Sequence, residues 1–224
     1  MKRIYGILAI ILLLGSCNKE EGFWDGDMMV KPGARADFMA ILTVKKTPTD
    51  TVYFQLDDAT TIFPRNYQEN FSRMERIFCD ISVYILPTGR FTYTGTVNWA
   101  EPVDEGMVTA DASIKGDLGL DIIDDWMTSV EDGYLTVHYN TWWGSKPVQH
   151  SFYVISGTDP ADPYTIVLEQ KAGGDKKEEQ GDALVCFDIN SLPDTEGNYK
   201  ELTLKWTTCG GEPKEKCFEF KTRQ

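Results

Sequence analysis

Short runs in which β-branched and aromatic residues alternate with polar ones recur along the chain, as in YLTVHYN at 134–140 and ELTLKWT at 201–207. Successive side chains of a strand point to opposite faces, so a two-residue period is typical of half-buried strands. Turn residues separate the runs, and no long helical period is present in the sequence. The chain is therefore predicted to be all-β, and its 224 residues allow one large or two small domains.

The first part of the chain, residues 34–104, has the pattern of a small OB-like β-barrel. A hairpin turn is predicted at PTGR, 87–90, and YQENFSRME, 67–75, is interpreted as a short helix or a capping loop. The clearest strands of this part are predicted at FMAILTVKK (38–46), TVYFQLDD (51–58), RIFCDISVYIL (76–86) and RFTYTGTVNWA (90–100).

The second part, residues 117–224, has the pattern of an antiparallel β-sandwich. Residues 105–116 are predicted to be a linker, since large apolar groups are few there. DDWMTSVEDG, 124–133, is interpreted as a short helix or turn, and KAGGDKKEEQGD, 171–182, as a solvated loop. The six predicted strands are YLTVHYN, SFYVIS, YTIVLEQ, ALVCFDI, ELTLKWT and CFEFK.

Residues 1–16 have the features of a signal peptide. A short cationic head precedes the apolar run 4–14, whose 11 residues are too few for a membrane-spanning helix of about 20. The step LGSC at 14–17 resembles a bacterial lipobox, in which cleavage leaves the cysteine as an acylated first residue. We expect Cys17 to anchor the protein in a membrane, followed by an acidic tether over 17–33. The alternative is an ordinary secretory signal with a chance cysteine.

The chain is acidic. Removing residues 1–16 takes away two basic residues and no acidic one, so the net charge changes from −13 to −15. Residues 111–224 hold most of the excess, with 11 basic and 21 acidic side chains. This balance argues against nucleic acid as a partner, because such binding depends on neutralising phosphates. It argues equally against docking on anionic lipid headgroups, so contact with the membrane is expected only through Cys17.

Four cysteines follow the predicted lipid site, and two of them have a local reason to meet. Cys209 and Cys217 flank GGEPKEK, a turn sequence between two alternating runs, so they form a candidate disulfide in an oxidising envelope. Free thiols are the alternative. No C-x-x-C pair and no cysteine–histidine spacing of a zinc site occurs, and neither a metal nor a cofactor is predicted.

The sequence carries no recognisable catalytic motif. His138 and His150 are placed on adjacent strands of one hairpin, as strand or rim residues. Neither belongs to a nucleophile elbow, a Cys–His arrangement or an H-E-x-x-H run. Neighbouring carboxylates such as Asp124-Asp125 would face opposite ways on a strand, so turn and capping roles account for them. The chain is therefore predicted not to be an enzyme.

Aromatic residues are the better candidates for ligand contact. Trp142 and Trp143 lie in NTWWGSKP, 140–147, which is predicted to connect two strands. Exposed indoles there suit stacking on sugar rings or anchoring a protein, whereas folding over the sandwich end would make them core residues. The barrel's aromatic residues are interpreted as mostly core, although OB-type barrels often bind oligomers on one face. The near-neutral charge of this part favours an oligosaccharide or a peptide there over nucleic acid. These aromatic residues include Tyr53, Phe54, Phe78, Tyr84, Phe91, Tyr93 and Trp99.

Eight segments follow one another in a recognisable order: the lipobox, FQLDDATTIFP, RMERIFCDIS, DLGLDIIDDW, EDGYLTVHYN, QHSFYVIS, VLEQKAGGD and ALVCFDINSL. In this order they resemble the NigD-like lipoprotein family. The resemblance implies an N-terminal OB-type barrel and a C-terminal β-sandwich. The family takes its name from a bacteriocin-associated operon and has no established general activity, so the resemblance implies a fold far more than a function. The family commonly has an Arg-His pair where this chain has Glu169-Gln170, so no role is carried over to that strand.

Lys19, Glu20 and Glu21 follow the predicted lipid site, and their order resembles the export signal of surface lipoproteins in the gut-type bacteria that carry this family. The resemblance implies an outer-membrane lipoprotein exposed at the cell surface; a tether without signal function would leave it on the periplasmic face. We predict a non-enzymatic module that binds an oligosaccharide, a peptide or a protein. The alternatives are a bacteriocin-associated accessory or immunity-like factor and, third, a glycan-related hydrolase.

Overall fold

This computed structural model of the protein describes residues 35–67, 75–85, 90–146 and 148–223. The predicted leader, Cys17 and the export signal lie outside the described residues, as do most of YQENFSRME and PTGR. The chain divides into two compact units, Met1–Pro102 and Val103–Gln224. Both units are built from strands, which confirms the predicted all-β class. No helix in the described stretches has the length and hydropathy needed to cross a membrane.

The first unit is a closed barrel with the strand order β1-β2-β3-β5-β4. β3 and β5 run parallel and the other pairs run antiparallel, which together with the order is the arrangement of an OB fold. β1 closes the barrel because it is long enough to pair with β4 over Arg35–Thr43 and with β2 over Thr43–Lys46. The strands are Arg35–Lys46 (β1), Val52–Gln55 (β2), Thr61–Pro64 (β3), Arg76–Ile85 (β4) and Tyr93–Pro102 (β5).

Aliphatic side chains fill the barrel, and most of its aromatic side chains do not. Leu42, Phe54 and Ile62 are fully buried in the barrel core. Of the seven aromatic residues predicted to be mostly core, only Phe54 is buried; the other six are partly or well exposed. That prediction is wrong for Tyr53, Phe78 and Tyr84, which point outward because their strand neighbours point inward, whereas Tyr93 is partly buried and packs against the core.

The second unit is a sandwich of two five-stranded sheets. One sheet has the order β6-β13-β10-β8, with β9 also paired to β10, and the other has the order β15-β14-β12-β11-β7. The six predicted strands correspond to β10–β15. Most pairs are antiparallel, while β6/β13, β7/β11 and β12/β14 are parallel. The strands are Asp104–Glu105 (β6), Met107–Thr109 (β7), Asp121–Ile122 (β8), Ser129–Glu131 (β9), Tyr134–Trp143 (β10), Ser151–Ile155 (β11), Thr165–Lys171 (β12), Glu179–Asp188 (β13), Lys200–Thr207 (β14) and Pro213–Phe220 (β15), with a 3-10 turn at Ile189–Ser191.

Three predicted connections differ from the structure. The predicted linker, 105–116, contributes β7 and part of β6 to the sandwich; these edge strands are too short to show an alternating pattern. The predicted loop 171–182 is shorter than expected, since β13 begins at Glu179. DDWMTSVEDG forms a turn followed by β9, and the carboxylate of Asp125 accepts a hydrogen bond from the Met127 amide within that turn.

Candidate functional site

The tryptophan pair lies at the end of a strand and not in a loop. β10 continues to Trp143 because it pairs with β13 along its whole length, up to Trp143 opposite Glu179. Adjacent residues of a strand point to opposite faces, so the two indoles separate. Trp143 packs against the sandwich core, whereas Trp142 lies on the outer face, and both are half-buried.

Around Trp142 the outer face of this sheet is polar and acidic. Asn140 and His138 lie on the same side of β10 as Trp142, at two-residue intervals. Asn140 pairs across the sheet with Asp182 on β13 and with Asp121 on β8, and residues paired in this way share a face. We call these five residues the Trp142 face.

Asn140 is the unusual member of the Trp142 face. Its side-chain oxygen is buried and has no hydrogen-bond partner among the residues that the structure describes. A buried polar atom without a partner costs about 1–3 kcal/mol, and such atoms are few in native proteins. Trp142 has no hydrogen bond, ion pair or ring contact within the described part of the chain. The face therefore holds a partly open aromatic surface, and beneath it lies a buried acceptor that solvent does not reach.

His138 is held between two carboxylates. Its Nδ1 lies 2.8 Å from Asp125 Oδ2, and its Nε2 lies 3.1 Å from Asp182 Oδ2. The hydrogen bond to His138 is the main cause that lowers the pKa of Asp182 below its usual value. Both ring nitrogens are thus engaged, and the imidazole itself fills the space between the two carboxylates.

On the inner side of the sheet, Trp143 begins a set of buried polar contacts, which we call the inner network. Its indole N–H donates to the Gly181 carbonyl at 3.0 Å, and its ring stacks on His150 with centroids 4.4 Å apart. His150 Nδ1 lies 2.7 Å from the side-chain nitrogen of Gln170. The side-chain oxygen of Gln170 accepts a hydrogen bond from the Thr141 hydroxyl at 3.1 Å. The network thus joins β10 of one sheet to β12 of the other.

The histidine prediction needs correction. His138 lies on β10, whereas His150 precedes β11 in the opposite sheet, so the two do not share a hairpin. β10 and β11 belong to different sheets, which no local pattern indicates. Gln170, at the position of the family's Arg-His pair, is 1% exposed and serves the inner network.

Asp175 completes the inner network from the loop that was predicted to be solvated. Its carboxylate accepts hydrogen bonds from the Gly144 and Lys176 amides, and Oδ2 lies 3.1 Å from His150 Nε2. Only 5% of the side chain is exposed. The Gly144 amide is the main cause that lowers the pKa of Asp175, and the hydrogen bond from His150 adds to it.

We expect Asp175→Asn to reduce the acid sensitivity of the sandwich. Because the folded-state pKa lies below the ordinary 3.8, ionised Asp175 stabilises the fold above that pH, and this contribution is lost as the pH falls through the lowered value. Urea unfolding between about pH 5 and pH 2.5 should show a smaller loss of stability in Asp175→Asn than in the parent protein. Asp159→Asn, in a separate turn, is the control and should follow the parent. Identical pH profiles of parent and Asp175→Asn would contradict this role.

The candidate disulfide is not formed. Cys209 and Cys217 are both free thiols, and Cys217 lies opposite Thr203 on β14. Cys209 lies in the turn closed by Thr208 and Glu212, so about four residues of strand, or roughly 13 Å, separate the two levels. The prediction is wrong because the turn is tight. Cys209 lies within the turn, whereas Cys217 lies further along β15, so the two cysteines are not opposite one another. Cys209 Sγ contacts the Gly119 carbonyl oxygen at 3.3 Å instead.

Comparison with known proteins agrees with this architecture. A candidate toxin-related protein from Parabacteroides distasonis is 25% identical, with a TM-score of 0.68 over 83% of this chain and 94% of that chain. A NigD-like immunity protein from Bacteroides caccae is 18% identical, with a TM-score of 0.58 over 82% and 96%. A candidate lipoprotein from Bacteroides fragilis is 10% identical, with a TM-score of 0.56 over 84% and 100%. The last two likenesses concern the fold alone. No curated protein matches the chain.

The sandwich also matches a sequence family. The model of the NigD-like C-terminal β-sandwich domain covers residues 101–220, which begins just before β6 and ends with β15. This match includes more than half of the chain and contains both the Trp142 face and the inner network. The chain therefore belongs to the NigD-like family.

Proposed function

We propose that this protein is a non-enzymatic, lipid-anchored binding protein of the outer membrane that holds a neutral oligosaccharide on the Trp142 face. The observation that carries the proposal is the half-buried indole of Trp142, which makes no polar or ring contact among the described residues and shares its face with the carboxylates of Asp121 and Asp182. A ligand that packs on the indole and donates hydrogen bonds to these carboxylates gains from both contacts.

Sugar chemistry fits the face better than other small ligands. The half-buried indole of Trp142 offers a flat apolar surface against which the C–H face of a sugar ring can pack. The carboxylates of Asp121 and Asp182 are acceptors, and sugar hydroxyls are donors. The same carboxylates repel an anionic glycan, so the ligand class is neutral.

Binding without hydrolysis follows from the position of His138. A glycosidase places two carboxyl groups on either side of the bond that it breaks. Asp125 and Asp182 do flank a common space, but the imidazole of His138 occupies it and contacts both. Neither ring nitrogen is left to accept a proton from a substrate, which supports a binding role over the hydrolase alternative.

We expect Trp142→Ala to weaken binding of a neutral oligosaccharide by about tenfold or more, because an aromatic anchor at the centre of a site carries much of the affinity. Calorimetric titration with cello-, xylo- and manno-hexaose tests this. Trp99→Ala is the matched control, since Trp99 is 38% exposed on the barrel. The proposal fails if none of the three hexaoses binds the parent protein, or if Trp142→Ala binds as the parent does.

A second candidate function is an immunity-like role against a secreted antibacterial peptide. It is favoured by the acidic residues beside Trp142, which suit a lysine or arginine of a cationic peptide packed on the indole. Two solved structures similar to this chain are named as a toxin-related protein and as an immunity protein, which supports such a role for those two proteins. If this alternative holds, Trp142→Ala removes the protection of cells against the peptide. Neither the parent protein nor the variant then binds a hexaose in the calorimetric titrations.

The location is proposed from the sequence at 14–21. The lipobox supports acylation of Cys17, and Lys19, Glu20 and Glu21 support transfer to the cell surface. The likeness to a candidate lipoprotein from Bacteroides fragilis is consistent with an anchor. The alternative is a periplasmic position on the same anchor.

A further inference from the structure

Asp182 lies between His138 and Trp142 on the outer face of the sandwich. On β13 it is directly opposite Asn140, whose neighbours on the same side of β10 are His138 and Trp142. Diagonal neighbours on paired strands are about 7–8 Å apart, so the carboxylate is positioned to turn toward either ring. In the structure it turns toward the imidazole, with 3.1 Å between Asp182 Oδ2 and His138 Nε2.

The two contacts of this imidazole require two ring protons. Nδ1 of His138 lies 2.8 Å from Asp125 Oδ2, on the side away from Asp182. An ionised carboxylate only accepts hydrogen bonds, whereas a neutral imidazole has a single N–H to donate. The hydrogen bond from His138 is the main cause that lowers the pKa of Asp182, so that carboxylate is ionised and does not supply the proton itself. Both contacts are therefore hydrogen bonds in the charged imidazolium.

His138 supplies the positive charge between the two carboxylates. Within the described residues, neither Asp125 nor Asp182 forms an ion pair with a lysine or an arginine, and Asp124 is engaged by Lys216. The other charged groups in these strands on this side occupy other positions of the ladder: Asp121 on β8, Glu131 on β9, Glu105 on β6, and Asp188 on β13 with its partner Arg223. The charge of the imidazole therefore decides the electrostatic balance at Asp182.

Loss of one ring proton breaks one of the two contacts. Asp125 is fixed by its turn, because its Oδ1 accepts a hydrogen bond from the Met127 amide at 2.9 Å, and only 30% of its side chain is exposed. The Asp182 side chain is 68% exposed, so water replaces its lost hydrogen bond at little cost. The remaining proton therefore stays on Nδ1. The lone pair of Nε2 then faces an ionised oxygen and repels it, which releases Asp182.

We infer that His138 is a positioning residue of the Trp142 face: its charged form holds Asp182, and its neutral form releases that carboxylate toward Trp142. An ordinary histidine changes charge between about pH 5 and pH 8, so binding on this face becomes stronger as the pH rises. The released carboxylate offers both oxygens to the hydroxyl donors of a ligand, whereas the imidazolium otherwise occupies one. The effect on the ligand rests on the proposed function, and the movement of Asp182 does not.

Nitrogen-15 spectra of the imidazoles test this movement without a ligand. The chain has two histidines, so His138→Gln assigns both sets of signals. Between about pH 5.5 and pH 8.5 we expect His138 to change from imidazolium to a neutral ring with its proton on Nδ1. The side-chain coupling constants of Asp182 should change over the same range. A neutral ring protonated on Nε2, an unchanged charge, or an unchanged Asp182 conformation would each overturn the inference.

Calorimetric titration with cello-, xylo- and manno-hexaose at the same two pH values tests the consequence for binding. The parent should bind about tenfold more tightly at the higher pH. In Asp182→Asn this difference should disappear, because an amide accepts from an imidazolium, donates to a neutral ring and so stays bound in both states. Asp175→Asn is the matched control and should keep the parent's difference, since Asp175 contacts the other histidine, His150.

Equal affinity of the parent at both pH values contradicts the inference, and so does a pH difference that persists in Asp182→Asn. Loss of the difference in Asp175→Asn would assign the titration to His150 and exclude His138. If no hexaose binds at either pH, the proposed function fails, and the nitrogen-15 spectra alone decide whether His138 holds and releases Asp182. Circular dichroism of each variant at both pH values verifies that the fold is retained.

Discussion

Replacing Trp143 with alanine should lower the free energy of unfolding of the sandwich by about 3–5 kcal/mol. The change removes an indole that packs against the core, the hydrogen bond to the Gly181 carbonyl and the stack on His150. Losing the stack also frees His150, so the contacts with Gln170 and Asp175 weaken with it. Urea unfolding followed by far-ultraviolet circular dichroism measures the loss without depending on tryptophan fluorescence.

Trp142→Ala is the matched control for this experiment, since it removes the same side chain from the neighbouring position. Its indole makes no polar or ring contact within the described residues, so stability should change by less than about 1 kcal/mol. A similar loss in both variants would show that the two indoles do not divide into a structural and a ligand-facing residue. That outcome would also remove the basis for the Trp142 face.

The second large effect is expected from Cys17→Ala, which should abolish membrane anchoring. Several acyl chains hold a lipoprotein effectively permanently, because each buried methylene contributes about 0.8 kcal/mol. Without the cysteine the protein should be released in soluble form or remain unprocessed in the inner membrane. Fractionation of cells and labelling with radioactive palmitate distinguish the acylated parent from the variant. Unchanged labelling of Cys17→Ala would exclude Cys17 as the lipid site.

The triple change of Lys19, Glu20 and Glu21 to alanine tests the export signal separately. It should keep acylation but remove access of external protease or antibody to the protein on intact cells. The parent is the positive control, and Asn18→Ala is a neighbouring change that should have no effect. Persistent surface access in the triple variant would exclude the signal, whereas an inaccessible parent would place the protein on the periplasmic face.

Local patterns predicted the strands well because alternation depends only on neighbouring residues. YLTVHYN and ELTLKWT became β10 and β14, and the OB-like barrel was expected before the sandwich. The edge strands β6 and β7 were missed because two or three exposed residues cannot display a period. The same limit placed Trp142 and Trp143 in a loop, since only the pairing with β13 extends β10 to that point.

Contacts between distant residues were not predictable from the sequence. Asp175 is 25 residues from His150 and Asp182 is 44 residues from His138, and each pair meets only after the sheets have formed. On the barrel, Tyr53 and Phe63 meet the ring of Phe91 for the same reason. The disulfide prediction failed although its two cysteines are close in sequence. Both belong to one hairpin, but they are not paired with each other across it.

The amino-acid sequence by itself determined the all-β class and the order of barrel and sandwich, since these follow from short alternating runs and the turns between them. It is also the basis of the predicted lipid anchor, because a peptidase and an acyltransferase read a linear motif. Only the tertiary structure decided which aromatic side chains face outward and which polar atoms lack a partner. Those properties depend on sheet packing, which brings together residues that no local pattern connects.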